Sequence, residues 1–263
     1  MASEHLIVED REGVRTIKLN RPEVLNSFNR RMSAELLEAL QGAADSREIR
    51  ALLLTGEGRA FCAGQDLAEV APSRDGTLPE LGEIVRSCYN PVISALRDLP
   101  KPVVCAVNGI AAGAGANLAL ACDLVLASHG ATFIQAFSKI GLIPDSGGTF
   151  FLPRLVGLGR ATALAMLAER LPAEEALRLG LIYKLFVPQE LLPEATKLAM
   201  YLAQQPTRGF AALKKALNQS FSNSLKEQLE LEAQLQGECG RSADYKEGVS
   251  AFLGKRSPQF KGE

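Results

Sequence analysis

Three short runs of this chain are dominated by apolar side chains at consecutive positions: residues 50–55, Val103–Val107 and residues 124–127. A strand that is apolar at successive positions is buried on both faces, so its sheet needs a layer on each side. Gly56-Glu57-Gly58 closes the first run, and a helix-compatible segment of small residues at 116–121 lies between the other two. Strands alternating with helices imply an α/β architecture with largely parallel pairing. Val14–Leu19 reads as an earlier strand closed by Asn20-Arg21-Pro22, and residues 32–44 as a helix with Met32, Leu36, Leu37 and Leu40 on one face and Ser33 as its N-cap. After Phe150 the pattern becomes helical, over residues 159–169, 172–179, 188–205, 207–222, 225–236 and Ala243–Leu253. Residues 1–200 are therefore expected to form an α/β core and residues 201–263 a C-terminal helical region. The stretch 72–82, bearing Pro, Gly and Ser, reads as a mobile loop and a candidate pocket wall.

Bulk composition narrows the function classes. A net charge of −1 with no long Lys/Arg block argues against nucleic acid as the partner. No run of apolar residues is long enough for a membrane span, and the mixed-charge residues 1–10 do not read as a signal peptide. The five cysteines are scattered without C-x-x-C spacing, which argues against a disulfide frame and against zinc, and makes a reducing cytoplasm the simplest compartment. With His5 and His129 as the only histidines, histidine-based triads and metal sites have little to work with.

Three segments could carry chemistry. In Ile140-Gly141-Leu142-Ile143-Pro144-Asp145-Ser146-Gly147-Gly148-Thr149 a single carboxylate, Asp145, sits between a proline and a glycine pair in mostly apolar surroundings. It reads either as a turn-capping Asp or as a general acid/base whose pKa is raised by burial. In Phe61-Cys62-Ala63-Gly64-Gln65-Asp66-Leu67 a strand gives way to a glycine turn. In Asn108-Gly109-Ile110-Ala111-Ala112-Gly113-Ala114-Gly115-Ala116-Asn117 a strand opens into a helix through small residues. Each turn frees a backbone N–H, and two such donors could bind one developing oxyanion; tight strand–helix packing is the alternative. Neither is a dinucleotide fingerprint or a P-loop. Cys62 has no basic partner in its motif and is not expected to be a nucleophile. His129 reads as a surface residue, while Phe133, Phe137, Phe150 and Phe151 read as packing groups that could also shape an aromatic cavity.

Taken in order, these segments resemble the crotonase, or enoyl-CoA hydratase/isomerase, superfamily. The resemblance runs from Asn20-Arg21-Pro22 with Asn26, through residues 60–67, Lys101-Pro102-Val103, Asn108-Gly109 and Cys122-Asp123, to Glu247-Gly248, Phe252 and Lys255-Arg256-Ser257-Pro258. It implies a spiral of β-β-α repeats with C-terminal helices that trimerise, two trimers commonly stacking into a hexamer, and acyl-CoA thioesters as substrates. Coenzyme A then belongs to the substrate, and no separate cofactor or metal is expected. By motif position the oxyanion donors are the backbone N–H groups of Gln65 and Ala114. Arg21, Leu25, Ala63, Asp66, Leu67, Ala68, Asn117, Phe137 and Lys255 fall at substrate or CoA positions, with Lys255 expected to meet CoA phosphates; Asp66 reads as a turn cap ahead of any chemical role.

The departures bear on the reaction. The two glutamates with which the family's hydratases handle water fall at Asn117 and Phe137, neither of which can take a proton, whereas the carboxylate position of some isomerases falls at Asp145. Residues 137–149 and 240–249 resemble most the isomerases of phenylacetate degradation, which convert ring-epoxidised phenylacetyl-CoA to an oxepin thioester and shift double bonds in enoyl-CoAs. That is the expected activity; an enoyl-CoA hydratase and a non-catalytic CoA- or RNA-binding scaffold are the alternatives.

Overall fold

The computed structural model describes residues 4–72 and 75–263. Of the stretch 72–82, Ser73 and Arg74 lie outside the described residues. The chain opens with a hairpin of β1 (Leu6–Arg11) and β2 (Val14–Leu19), whose two turn residues, Glu12 and Gly13, both have positive φ. That turn matches the right-handed twist of paired strands. Helix α1 (Arg30–Asp45) follows, then β3 (Ala51–Gly56) and β4 (Ala60–Cys62). After α2 (Leu81–Ile84) and one π-helical turn (Val85–Tyr89) come α3 (Asn90–Asp98), β5 (Val103–Val107), β6 (Ile110–Ala112) and α4 (Ala114–Leu120). Next are β7 (Leu124–Ser128), β8 (Thr132–Ile134), α5 (Gly148–Val156), α6 (Leu158–Leu167), β9 (Leu171–Pro172), α7 (Ala173–Arg178) and β10 (Lys184–Phe186). The chain ends in α8 (Pro188–Ala203), α9 (Thr207–Gln219), α10 (Leu225–Gly240) and α11 (Ala243–Leu253).

The strands form two sheets, one six-stranded in the order β1-β2-β3-β5-β7-β10 and one four-stranded in the order β4-β6-β8-β9. The pairs β3/β4, β5/β6 and β7/β8 each give one strand to each sheet, so the chain winds as a spiral of repeated turns. Pairing within the spiral is parallel, with β1–β2 and β8–β9 antiparallel. Alternation along the large sheet is strict. Leu52, Leu54, Val103, Cys105, Val107, Val125 and Ala127 face the main core with α1 and α3. Leu53, Val104, Ala106 and Leu126 face a second core built with Leu191, Ala195, Ala199 and Leu202 of α8. Burial on both faces is why these strands are apolar at every position.

Helix α1 begins two residues before the span expected from periodicity, and its N-cap is Asn29, not Ser33. The Asn29 side chain accepts from Met32 N at 2.8 Å, while Ser33, already helical, donates to the Cys88 carbonyl. Residue 200 falls in the last turn of α8, a helix that seals the large sheet. Beyond it, Lys214 anchors α9: its buried Nζ donates to the carbonyls of Leu96 (3.3 Å) and Lys101 (3.0 Å) and pairs with Asp123 at 2.8 Å. Arg50 holds the tail through the carbonyls of Gln205 and Phe260. No helix among the described residues is long and apolar enough to cross a membrane.

The two glycine turns meet backbone to backbone. A Cβ on Gly115 would lie 2.3 Å from the Cys62 carbonyl oxygen, and one on Gly64 would lie 2.8 Å from the Ala112 carbonyl oxygen. Gly115→Ala is therefore expected to destabilise the fold by about 1–3 kcal/mol, read as a lower urea midpoint at unchanged m-value.

Candidate active site

Gly113, at φ +51, turns the end of β6 into α4. Ala114 is the first residue of that helix, so its N–H has no acceptor within the helix and points out along the positive end of the dipole. The second donor comes from the neighbouring turn. Phe28 N donates to the Gly64 carbonyl at 2.7 Å and Asp66 N donates to the Phe28 carbonyl at 2.9 Å, a parallel bridge that flanks Gln65. In such a bridge the flanked residue's own N–H points away from the pairing strand. The glycine contacts hold the two turns against each other, which sets the N–H groups of Gln65 and Ala114 in one corner. Cys62, below that corner, is fully buried, and desolvation pushes its thiol up to about 12, so it stays neutral.

Asp145 approaches the same corner on the loop between β8 and α5. The loop leaves a 3-10 turn, Ala136–Ile140, through Gly141 at φ +72. It is fastened at its functional end: Asn117 Nδ2, on α4, donates to the Asp145 carbonyl at 2.8 Å, and Gly148 N donates to the same oxygen at 2.8 Å. Gln135 Nε2 in turn donates to Asn117 Oδ1 at 2.8 Å. The Ser146 hydroxyl donates to Asp145 Oδ1 at 2.9 Å. Burial raises the Asp145 pKa above the ordinary carboxylate value, opposed by the Ser146 hydroxyl and by the residue's own backbone N–H. A carboxylate in that state can trade protons closer to neutral pH than a solvated one.

Beside Ala114 and Ser146 lies a small, tight cavity of about 10 Å³ lined by Phe28, Tyr89, Val92, Ile93, Ala114, Leu118 and Ser146. Its aromatic wall is Phe28 and Tyr89, ring centroids 5.8 Å apart. The Tyr89 hydroxyl donates to Gln65 Oε1. Burial, then the nearby Asp145 charge, pushes the phenol pKa up, so Tyr89 remains a neutral hydrogen-bond donor. Sequence reasoning missed Phe28, Tyr89, Val92, Ile93 and Leu118 of this lining. Tyr89 sits in the π-helical turn ahead of Pro91, where no regular period marks it, although such turns often accompany functional sites.

The remaining expected residues divide. Arg21 and Asp66 pair at 2.9 Å, both mostly buried; Arg21 also donates to the Ser27 carbonyl at 2.7 Å, and Asp66 caps its turn by accepting from Ala68 N at 3.1 Å. Ala63 N donates to the Leu25 carbonyl at 3.0 Å, and Leu25 and Asn26 both have positive φ. Thus Arg21, Leu25, Ala63 and Asp66 stand together at the edge of the Gln65 turn, with Leu67 and Ala68 exposed beside them. Lys255, exposed and at φ +51, follows α11 in the C-terminal region. Asn117 is fully buried, and both ends of its amide are taken up inside the protein. Phe137 is buried with its ring edge 3.6 Å from where a Cβ on Gly113 would sit. Phe133 and Phe151 pack in the main core, and Phe150 lies half-exposed with the Arg154 guanidinium 3.5 Å from its ring centroid; none of the three lines this cavity. Among the described residues no three His, Cys, Asp or Glu side chains cluster as metal ligands would.

Known proteins resemble this chain in sequence and fold. Residues 9–263 match the family model for enoyl-CoA hydratase/isomerase. The 1,2-epoxyphenylacetyl-CoA isomerase of Escherichia coli K12 is 52% identical over 260 residues, covering 99% of each chain. A protein named probable enoyl-CoA hydratase from Rhodobacter capsulatus is 51% identical over 251 residues, 95% of each chain. A crystal structure from the same family, from Mycobacterium abscessus, superposes with a TM-score of 0.92 at 38% identity, covering 98% of this chain and 100% of that one. With its spiral core, paired glycine turns and a family match across nearly its full length, this chain belongs to the enoyl-CoA hydratase/isomerase family.

Proposed function

We propose that this chain is an acyl-CoA isomerase that converts 2-(1,2-epoxy-1,2-dihydrophenyl)acetyl-CoA to oxepin-CoA and shifts double bonds in enoyl-CoA thioesters. The observation that carries this reading is a single carboxylate, Asp145, fastened beside the cavity that Ala114 lines. The thioester carbonyl accepts from Gln65 N–H and Ala114 N–H. Asp145 takes a proton from the carbon next to that carbonyl, and the electron pair moves onto the carbonyl oxygen, where the two donors stabilise it. Asp145 then returns the proton two carbons further along the conjugated system. In the ring substrate, cleavage of the carbon–carbon bond shared by epoxide and ring is pericyclic and needs no acid; the same proton shift then fixes the seven-membered product. Both conversions are isomerisations and consume neither water nor an oxidant.

Hydration is disfavoured on the same residues. The amide of Asn117 is spent on Gln135 and the Asp145 loop, and Phe137 cannot ionise. We also propose that the chain assembles as a homotrimer or a hexamer of two trimers and works in the cytoplasm. Large apolar side chains stand exposed on the helical region, among them Leu217, Phe221, Leu225, Phe252 and Leu253, and such patches mark protein contacts. The cysteines are all free, four of them buried, as a reducing compartment allows.

Asp145→Asn is expected to bind acyl-CoA and to lose isomerisation by about 10²–10⁴-fold, measured by steady-state turnover; an unchanged rate would remove Asp145 from the reaction. The same variant tests burial. Because the folded-state pKa is raised, the native state holds its proton to higher pH than the unfolded chain does. Wild-type stability therefore falls as pH rises through that window. Asp145→Asn is expected to melt above wild type at pH 7, with the gap closing below the ordinary aspartate pKa. Short trans-2-enoyl-CoA, followed by absorbance of the conjugated thioester, is expected to be hydrated negligibly; efficient hydration would restore the hydratase reading. Light scattering on the eluting protein is expected to give a trimer or hexamer mass, and a monomer would overturn the assembly.

A further inference from the structure

Ser146 stands out from the residues around it. It is 2% exposed, lines the cavity, and holds a left-handed backbone at φ +50 although it is not glycine. A non-glycine residue in that region is strained, and such strain persists where the surrounding structure imposes it, often at functional sites. Here it is imposed from both sides. Asn117 Nδ2 and Gly148 N hold the carbonyl of the Asp145–Ser146 peptide at 2.8 Å each, and Gly147, at φ +76, carries the chain onward into α5. The consequence of that backbone is local and specific: it brings the Ser146 hydroxyl back over the preceding side chain, 2.9 Å from Asp145 Oδ1.

We propose that Ser146 is a positioning residue that holds Asp145 Oδ1, leaving Oδ2 as the oxygen that removes and returns the substrate proton. This rests on the reading of Asp145 as the proton carrier. In the forward step Oδ2 gains the proton as the carbon–hydrogen bond next to the thioester breaks, and the bonding pair passes to the carbonyl oxygen held by Gln65 and Ala114. In the return step the O–H bond at Oδ2 breaks and a carbon–hydrogen bond forms two carbons away, so no co-reactant is needed. Fixing one carboxylate oxygen removes rotation about the last side-chain torsion, which keeps the other aimed at both carbons. The hydroxyl also favours the ionised form of a carboxylate that burial disfavours, so the group remains a base as well as an acid. Tyr89 is a titratable group that feels the Asp145 charge, with Cys62, Cys88 and Glu69 acting on Tyr89 in turn. Tyr89 and Cys62 are held neutral by burial.

The test compares Ser146→Ala with Ser146→Gly. Both delete the hydroxyl; the alanine keeps the backbone strain and the glycine relieves it. In both variants the acid limb of the kcat/KM profile, where the base form of Asp145 is lost, is expected to move to higher pH. At the acidic end the rate falls by roughly 2- to 10-fold more than at the alkaline plateau, as loss of one hydrogen bond to the carboxylate predicts. The inhibition constant of a non-reacting acyl-CoA stays within about 2-fold, since no substrate contact is removed. An acid limb unmoved in both variants overturns the proposal, as does a shift in only one, which would assign the effect to the backbone. Asp145→Asn, run alongside, separates the two readings. If it keeps the wild-type rate, the proton-carrier assignment fails and this inference with it. If it is inactive and the Ser146 variants keep the wild-type limb, this inference alone fails.

Discussion

The site depends on two backbones meeting where side chains are absent. Gly115 packs on the Cys62 carbonyl and Gly64 on the Ala112 carbonyl, each at a distance that a Cβ could not occupy. An oxyanion stabilised by two N–H groups needs those donors preorganised, and backbone donors are fixed by the fold itself. The proposed donors belong to two turns of the spiral, one after β4 and one after β6, strands that pair in parallel in one sheet. Repeated winding places like corners side by side, and the glycines let them touch. The donor arrangement is therefore a property of the fold, independent of which side chain stands at Gln65.

In the proposed reaction the chemistry is decided by what is tied to the first turn of α4. Ala114 opens that helix and Asn117 stands three residues later, bonded to the Asp145 carbonyl at 2.8 Å. One short helix thus carries the proposed oxyanion donor at its start and a brace for the carboxylate loop within its first turn. The distance between the group that receives negative charge and the group that moves the proton is set through rigid backbone, which makes the loop at 141–147 well placed despite its lack of regular structure. Burial then supplies the electrostatics: the same apolar walls that exclude water raise the Asp145 pKa and keep Tyr89 neutral.

The parts of the fold written in long runs were legible in sequence. Val103–Val107 and Ala243–Leu253 have the bounds that their patterns imply, because a strand buried on both faces and a helix with a Ser242 cap leave unambiguous signals. The four-stranded sheet was not legible, since β4, β6 and β8 have three residues each and β9 two, too few to show a period. Helix α5 was hidden by its opening glycine and by Pro153, which usually break helices. The N-cap was misread at Ser33 because Ser and Asn are equally good caps, and the choice fell to Asn29 through contacts distant in sequence. Of the site, Asp145 and both glycine turns are visible as local motifs. Phe28, Tyr89, Val92 and Ile93 are not, for they converge on the cavity from separate elements, and nothing in their own neighbourhoods marks them.

Asn117 shows how little need change to redirect such a scaffold. An ionisable side chain at this position could give or take a proton. The amide found instead has no proton to give or take at neutral pH, and its two ends are satisfied by Gln135 and by the Asp145 carbonyl. A Cβ on Gly148 would lie 2.3 Å from Asn117 Nδ2, so the loop is packed directly on that amide. Asn117 thus holds the loop that carries Asp145. In the proposed reaction, one proton carrier beside the cavity favours moving a proton between carbons over adding water across them, because the intermediate enolate meets the acid that made it.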